Sequence, residues 1–298
     1  MRIVIAGGTG FLGRPLASAL ARHGHEVGIL TRRAGDLPAG HVTWNPDGNS
    51  GAWASALEGV DAVVNLAGEP IAGGRWTSER KQILLESRLL ATRSLVRALS
   101  TVAARPRVFV SASGVGYYGA RGDEEVGEDA PAGADFLAAV SAAWEAEATQ
   151  AAEGGTRLVV LRNGLVLAPD GGALERLLLP FRLGLGGVLG DGRQYVPWIH
   201  RRDWVDLVRW SLISGGVHGT YNAAAPAPVT NRELTEELAR ALRRPHVFRV
   251  PAFALRVALG EMADTLLTGQ RAVPRRALEQ GFHFRWPSLA PALRNLLS

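Results

Sequence analysis

The sequence predicts an α/β chain: a doubly wound parallel sheet followed by a small C-terminal unit. Three observations carry that expectation. The chain opens on a short apolar run, Ile3-Val4-Ile5-Ala6, then a glycine cluster, then a helix-length pattern with Leu12, Leu16, Ala19 and Leu20 on one face. From there to Arg162, strand-length apolar runs alternate with segments of helical periodicity, the order that builds parallel sheets from β-α-β units. Beyond Asn163 the alternation stops and a glycine-rich apolar stretch intervenes, marking a change of architecture.

The first turn says most. Ile3 to Ala6 has the β-branched content of a strand covered on both faces. Gly7, Gly8, Gly10 and Gly13 follow, with the spacing Gly7-x-x-Gly10-x-x-Gly13. A turn that tight needs residues without a Cβ. It gathers backbone N–H groups and the positive end of a helix at one place, where a pyrophosphate binds. Strand, glycine turn, helix is the order that dinucleotide binding requires, although most dinucleotide dehydrogenases use Gly-x-Gly-x-x-Gly. Glu26 to Thr31 reads as the second strand and ends on Arg32-Arg33. An acid at this end would suit a free ribose 2′-hydroxyl, whereas arginine suits a 2′-phosphate, so NADP(H) is favoured over NAD(H). The alternative, two arginines in a solvated loop, stays open.

Val42-Thr43-Trp44 suggests a short strand, and Asn45-Pro46-Asp47-Gly48 a turn. Asp61 to Gly68 reads as a buried strand ending in small residues, where either a flat ligand approaches the backbone or the strand merely stops. Thr77 to Leu99 is a helix that contains Arg88. Arg107 to Ser113 is a strand running into Gly114-Val-Gly-Tyr-Tyr-Gly119, followed by an acidic loop, Asp123 to Asp129. An alanine-rich helix over Ala134 to Ala152 and a strand over Arg157 to Arg162 come next. Further on, a helix takes in Trp204 to Leu212, Thr220-Tyr221-Asn222 forms a last short strand, and Asn231 caps a helix running to Leu242. The expected division is a sheet domain over residues 1–225, with 171–200 reaching toward the substrate side, and a small C-terminal domain over 226–298.

Composition excludes several classes. There is no cysteine, hence no disulfide framework, thiol chemistry or cysteine metal site, and no histidine falls in metal-ligand spacing. No apolar run is long enough to span a bilayer, and Arg2 leads directly into a strand, so neither a membrane partner nor a signal peptide is expected and the expected location is cytoplasmic. The net charge of +5 comes from arginines scattered among acids, with Lys81 the sole lysine and no basic run that would track nucleic acid. A small-molecule substrate is the expected partner, and the oligomeric state stays open.

Several stretches carry a family likeness: Asn65-Leu-Ala-Gly-Glu-Pro-Ile71, Arg75-Trp76, Ser87-Arg88-Leu89, Gly116-Tyr-Tyr-Gly119, Pro180-Phe-Arg-Leu-Gly-Leu-Gly-Gly187, Trp198-Ile-His200 and Gly269-Gln-Arg271. Together with the glycine turn, they resemble the extended short-chain dehydrogenase/reductases, a Rossmann-fold group. More narrowly, they resemble the atypical branch described as epimerase family protein, or nucleoside-diphosphate-sugar-epimerase-like protein. That branch carries a C-terminal domain of unknown function and is sometimes labelled a cell-division inhibitor. The resemblance covers essentially the whole chain. It implies NADP contacts at Gly7, Gly10, Phe11, Leu12, Thr31, Arg32, Leu66, Ala67, Arg88 and Val166, and Gly68 and Ser111 join them as candidate cofactor contacts.

Short-chain dehydrogenases move protons with Tyr-x-x-x-Lys, where the lysine and the oxidised nicotinamide lower the tyrosine pKa. The residue four before Lys81 is Thr77, so the pair is absent; by register against Glu145 it would fall on Leu137 and Ser141. Ser113 matches the catalytic serine of the family and shares a strand face with Ser111, while Tyr117 and Tyr118 are candidate proton donors. The alternative is that the serines bond backbone and Tyr118-Gly119 is a structural turn. His200 is either an acid/base or a loop anchor, and Asp203 caps or anchors the nearby helix. Arg182, Tyr195 and Trp198 either line a substrate cleft or form a packed hinge. Two functions follow: an NADP(H)-dependent oxidoreductase or epimerase on a small carbonyl or sugar-like substrate, or a non-catalytic NADP(H)-binding sensor or regulator.

Overall fold

Seven parallel strands form the centre of the molecule, which the computed structural model describes over residues 1–298. They are β1 (Arg2–Ala6), β2 (Glu26–Thr31), β3 (His41–Thr43), β4 (Ala62–Asn65), β5 (Val108–Gly114), β6 (Arg157–Asn163) and β7 (Gly219–Ala223). The spatial order is β3-β2-β1-β4-β5-β6-β7, so the chain starts mid-sheet, builds outward to β3, then reverses at β1 to build toward β7. Ala6 lies level with both Leu30 and Asn65, which brings the carboxyl ends of β1, β2 and β4 together at the reversal, the place where ligands bind in such sheets.

Both faces of the sheet are covered, and the apolar alternation explains it. Ile3, Ile5, Val64, Val110 and Leu161 point into one cluster with Leu16 and Leu20 of α1 (Gly13–Arg22) and Trp204 and Leu207 of α5 (Arg201–Ile213). Val4, Val63 and Phe109, one residue out of phase, point into the other cluster with Ala91, Leu95 and Leu99 of α2 (Ser78–Thr101) and Ala148 of α3 (Phe136–Thr149). A third cluster lies beyond the sheet. It joins Leu174, Leu178 and Phe181 of α4 (Gly172–Arg182), Leu234 and Leu238 of α6 (Asn231–Leu242), and Leu289 and Leu293 of the last helix.

The C-terminal segment returns to the sheet. Ala277 and Phe282 join the β1–α1–α5 cluster. Arg271-Ala272 pairs with Glu125-Val126 of the acidic loop. Glu128, in the same loop, is 5% exposed and accepts from the backbone N–H groups of Asn222 (3.0 Å) and Arg276 (3.3 Å), although burial raises its pKa.

Two sequence expectations need correcting, and of the two readings left open for Trp198 the packed one holds. The cap of α6 is Thr230, which forms a reciprocal box with Glu233; Asn231 is already helical and accepts from the Leu189 N–H. Asp203 anchors the distant tail instead of capping: its carboxylate accepts from the Arg285 and Trp286 N–H groups at 2.9 and 3.0 Å. Trp198 belongs to the third cluster, fully buried, with its indole N–H donated to Ala227 O, so it lines no cleft.

His200 caps α5 by accepting from the Arg202 N–H, stacks on Trp286 with ring centroids 3.8 Å apart, and leaves Nε2 without a partner. Burial lowers its pKa from 6.5 to about 4, against an opposing contribution from Asn295 and with a smaller push from Arg202 and Arg201. The unfolded chain therefore binds this proton first as pH falls, and stability drops between pH 6.5 and 4. His200→Asn keeps a cap acceptor and removes the titration. Denaturant unfolding of this variant should show about 2 kcal/mol less stability loss on acidification across that window than the wild type. Equal losses reject the assignment.

Candidate functional site

The turn after β1 is a cradle that has no room for side chains. Gly7 has φ +81°, and a Cβ there would sit 2.9 Å from the carbonyl carbon of Leu66. A Cβ on Gly13 would sit 2.3 Å from Gly7 O. Gly10 closes the turn by donating its N–H to Gly7 O at 3.0 Å. Helix α1 begins at Gly13 with Leu12 at its cap position, no side-chain cap and no acid in its first turn. The positive helix end therefore stays available to an anion, and the turn fits a dinucleotide pyrophosphate. The Phe11 ring lies against Gly171 and Gly172, at the start of α4, and Phe11 and Leu12 pack on the cluster that contains Val166.

At the end of β2, Thr31 is buried and its hydroxyl accepts from the Arg33 N–H at 3.2 Å, which turns the chain and leaves the Arg32 side chain outside. Arg32 Nη1 meets Glu69 Oε1 at 3.3 Å. At the end of β4, buried Asn65 accepts from the Ala67 N–H (3.2 Å) and donates to Thr92 Oγ1 (2.9 Å). This bond shapes the Leu66-Ala67-Gly68 turn beside the glycine cradle. Under Gly68 lies Arg88, 8% exposed, whose guanidinium donates to the Leu84 and Glu69 carbonyls and to no carboxylate. Burial lowers its pKa to about 10, so it remains charged at neutral pH.

The end of β5 carries the densest polar network. Ser113 Oγ donates to Glu145 Oε1 at 2.6 Å. Arg162, level with Ser113 on β6, grips Glu145 with both prongs, Nε and Nη2 each at 2.8 Å. Its remaining prong donates to Tyr118 Oη (3.0 Å) and Glu128 O (3.1 Å), and its face lies 3.4 Å from the Tyr117 ring centre. Burial works against the Arg162 charge, but Glu145 and Tyr118 more than offset it and hold the pKa above the ordinary value. Tyr118 is fully buried, donates to Asn222 Oδ1 at 2.7 Å, and its pKa is raised by burial. Leu137 lies against Gly116 and Ser141 near Gly114, on the face of α3 that meets the end of β5.

The structure thus brings Ser113, Tyr117 and Tyr118 together around one guanidinium, with Ser111 buried one turn of the pleat earlier. It places Arg32 beside Glu69, and Leu66, Ala67 and Gly68 between the glycine cradle and Arg88. His200 is buried against Trp286 and shares no hydrogen bond with this network, and Arg182 is exposed at the end of α4. Sequence reasoning missed Glu145, Arg162, Asn222 and Glu69. One signal was present: Arg162 directly extends the apolar run Leu158-Val159-Val160-Leu161 of a strand buried on both faces, and buried charges need partners.

The model of the NAD dependent epimerase/dehydratase family matches residues 3–224. The chain belongs to that family. A domain of unknown function, DUF1731, matches residues 250–296. The epimerase family protein SDR39U1 of mouse is 40% identical over 302 residues, covering both chains completely. The epimerase family protein YfhF of Bacillus subtilis is 38% identical, covering all of this chain and 98% of its own. Among solved structures, human SDR39U1 with NADPH superposes with a TM-score of 0.91 at 37% identity over 100% of this chain and 99% of that one. UDP-glucose 4-epimerase of Thermus thermophilus, at 21% identity and a TM-score of 0.77, shares the fold.

Gly13→Ala should abolish dinucleotide binding, because a methyl group 2.3 Å from Gly7 O forces the cradle open. Titration calorimetry with NADPH against a folded Gly13→Ala protein checks this. Retained affinity would place the cofactor elsewhere.

Proposed function

We propose that this protein is an NADP(H)-dependent oxidoreductase or epimerase acting on a small carbonyl or sugar-like substrate, with Ser113 at the reacting oxygen and Glu145 behind it. The observation that carries the reading is the 2.6 Å bond from Ser113 to a carboxylate whose two oxygens Arg162 also holds. The glycine cradle and Arg32 suit NADP(H), and human SDR39U1 was crystallised with NADPH.

The direction of that bond decides what Ser113 can do. Its proton is given to Glu145, so its lone pairs are free to accept from a substrate hydroxyl. As that hydroxyl gives its proton to Ser113 Oγ, Ser113 passes its own proton to Glu145. The carbinol C–H bond breaks as hydride, the C=O double bond forms, and one proton rests on the carboxyl group. When bound, the nicotinamide accepts or delivers the hydride. In the reverse direction, protonated Glu145 feeds Ser113, which donates to a carbonyl oxygen. Epimerisation is the forward step followed by return of the hydride to the other face. Arg162 orients the carboxylate throughout, and Tyr117 and Tyr118 seat Arg162 in place of acting as acids.

A second reading, an NADP(H)-binding sensor or regulator without turnover, has an observation in its favour. Leu137 and Ser141 stand where Tyr-x-x-x-Lys would be, and Ser113 is only 3% exposed.

Two measurements test the proposal. Protein loaded with NADPH should lose the near-ultraviolet absorbance of the reduced nicotinamide on mixing with at least one member of a panel of carbonyls, quinones and sugar nucleotides. Ser113→Ala should slow that loss about 100-fold or more, the scale of a lost acid/base contact, while leaving NADPH affinity unchanged. If no compound consumes NADPH and no sugar nucleotide is epimerised, the sensor reading replaces this one. Separately, Arg32→Glu should weaken NADPH about 30-fold or more and NADH by less than about threefold, the loss expected when an anion loses a charge-assisted partner and meets a like charge. Equal losses exclude a 2′-phosphate at Arg32.

A further inference from the structure

Glu69 stands between two arginines, and only its main chain is fixed. Its N–H donates to Ser87 Oγ at 3.1 Å and its carbonyl accepts from Arg88 at 3.0 Å, so the backbone is pinned to α2. Its side chain divides: Oε1 meets Arg32 Nη1 at 3.3 Å, and Oε2 meets Arg80 Nη1 at 3.7 Å. Arg80 is held independently by its bond to Pro70 O (2.6 Å), with its side chain 20% exposed. The Arg32 side chain is 73% exposed and touches nothing else polar. The carboxylate therefore sits between a fixed guanidinium and a movable one.

We infer that Glu69 is the resident counter-anion of the 2′-phosphate subsite, displaced from Arg32 when the phosphate arrives and retained by Arg80. This rests on the NADP(H) reading above. Arg32, Arg80 and Glu69 together carry net charge +1, and a 2′-phosphate adds roughly two negative charges to them. Arg32 has one fork to offer, so carboxylate and phosphate compete for it, and the displaced carboxylate stays close enough to repel the phosphate. Arg80 limits that repulsion by keeping a cation on Glu69. A cofactor without the phosphate leaves the Arg32–Glu69 pair undisturbed. Glu69 thereby lowers the affinity for NADP(H) selectively, and Arg80 raises it.

The segment that follows Glu69 is seated on two other parts of the molecule. Ala72 O accepts from Arg176 of α4, and Trp76 is buried in a cluster with Met262 of the C-terminal region and Leu84 of α2. Releasing Arg32 alters the charge at the start of a segment whose far end is seated on those elements.

Calorimetric binding of NADPH, NADH, 2′,5′-ADP and 5′-AMP to the full chain tests the inference. At low ionic strength, Glu69→Gln should tighten NADPH and 2′,5′-ADP about three- to tenfold, with NADH and 5′-AMP changed less than about twofold. Salt of about 0.5 M should erase most of the gain, because the pair is exposed. Arg80→Gln should act in the opposite direction, weakening only the phosphate-bearing ligands. In an Arg32→Ala background, Glu69→Gln should have no effect beyond about twofold. If Glu69→Gln and Arg80→Gln instead weaken all four ligands alike, Glu69 is a loop support and the inference fails. The inference also fails if Glu69→Gln changes nothing while Arg32→Ala still selectively weakens NADPH. If Arg32→Ala weakens NADPH and NADH equally, or wild type binds neither, the 2′-phosphate assignment itself falls and takes the counter-anion with it.

Discussion

The buried pair between Arg162 and Glu145 is the constraint around which the end of β5 is arranged. A guanidinium taken out of water has to recover its hydration from fixed partners, and Arg162 finds them on every side: two carboxylate oxygens, a phenol, a main-chain carbonyl and the face of Tyr117. Such a pair adds little net stability over an apolar replacement, but removing one partner strands the other charge at a cost of about 3–5 kcal/mol. The aromatic pair Tyr117-Tyr118, the acidic loop through Glu128 and the last strand through Asn222 are all held to their positions by this charge or by its neighbours. Ser113 receives its orientation from the same carboxylate.

That arrangement inverts the electrostatics of a tyrosine–lysine pair. There a cation next to the phenol favours release of the proton that the phenol carries. Here the group nearest the serine is an anion, and the cation is one step further away. A serine backed by a carboxylate is a better acceptor than donor in its resting state. Ser141, which stands near the position of the missing lysine, is too short to reach across and carries no charge.

Local chemistry was legible in the sequence, and long-range pairing was not. The strand, turn and helix around Gly7 to Gly13 can be read directly because they are contiguous in the chain and Gly10 and Gly13 answer steric demands within the turn itself, although Gly7 and Gly8 are limited by the distant Leu66 and Ile29. The alternation of strands and helices was likewise clear, because burial on both faces leaves near-continuous apolar runs. By contrast, Glu145 sits in an alanine-rich helix and Arg162 at the end of a strand, and no periodicity links the two. Asp203 and Glu128 look like surface acids until residues far ahead of them in the chain close over them. Trp198 could be read as cleft-lining or packed, and Tyr118 as a proton donor or part of a turn, for the same reason: what encloses them, Ala227 and Asn222, lies well downstream.

The return of the C-terminal segment to the sheet has a consequence for biosynthesis. Phe282 and Ala277 fill the face of the sheet that α1 and α5 leave incomplete; the buried carboxylate of Asp203 finds its backbone donors at Arg285 and Trp286, and that of Glu128, which β7 meets through Asn222, finds its second at Arg276. A nascent chain that has emerged only as far as β7 holds every strand of its sheet, yet two acids still lack donors and part of one apolar face is uncovered. Domains usually fold from the amino terminus as they leave the ribosome. In this protein the nucleotide-binding half stays unfinished until translation is almost complete, so the tail acts as a late keystone for a sheet made long before it.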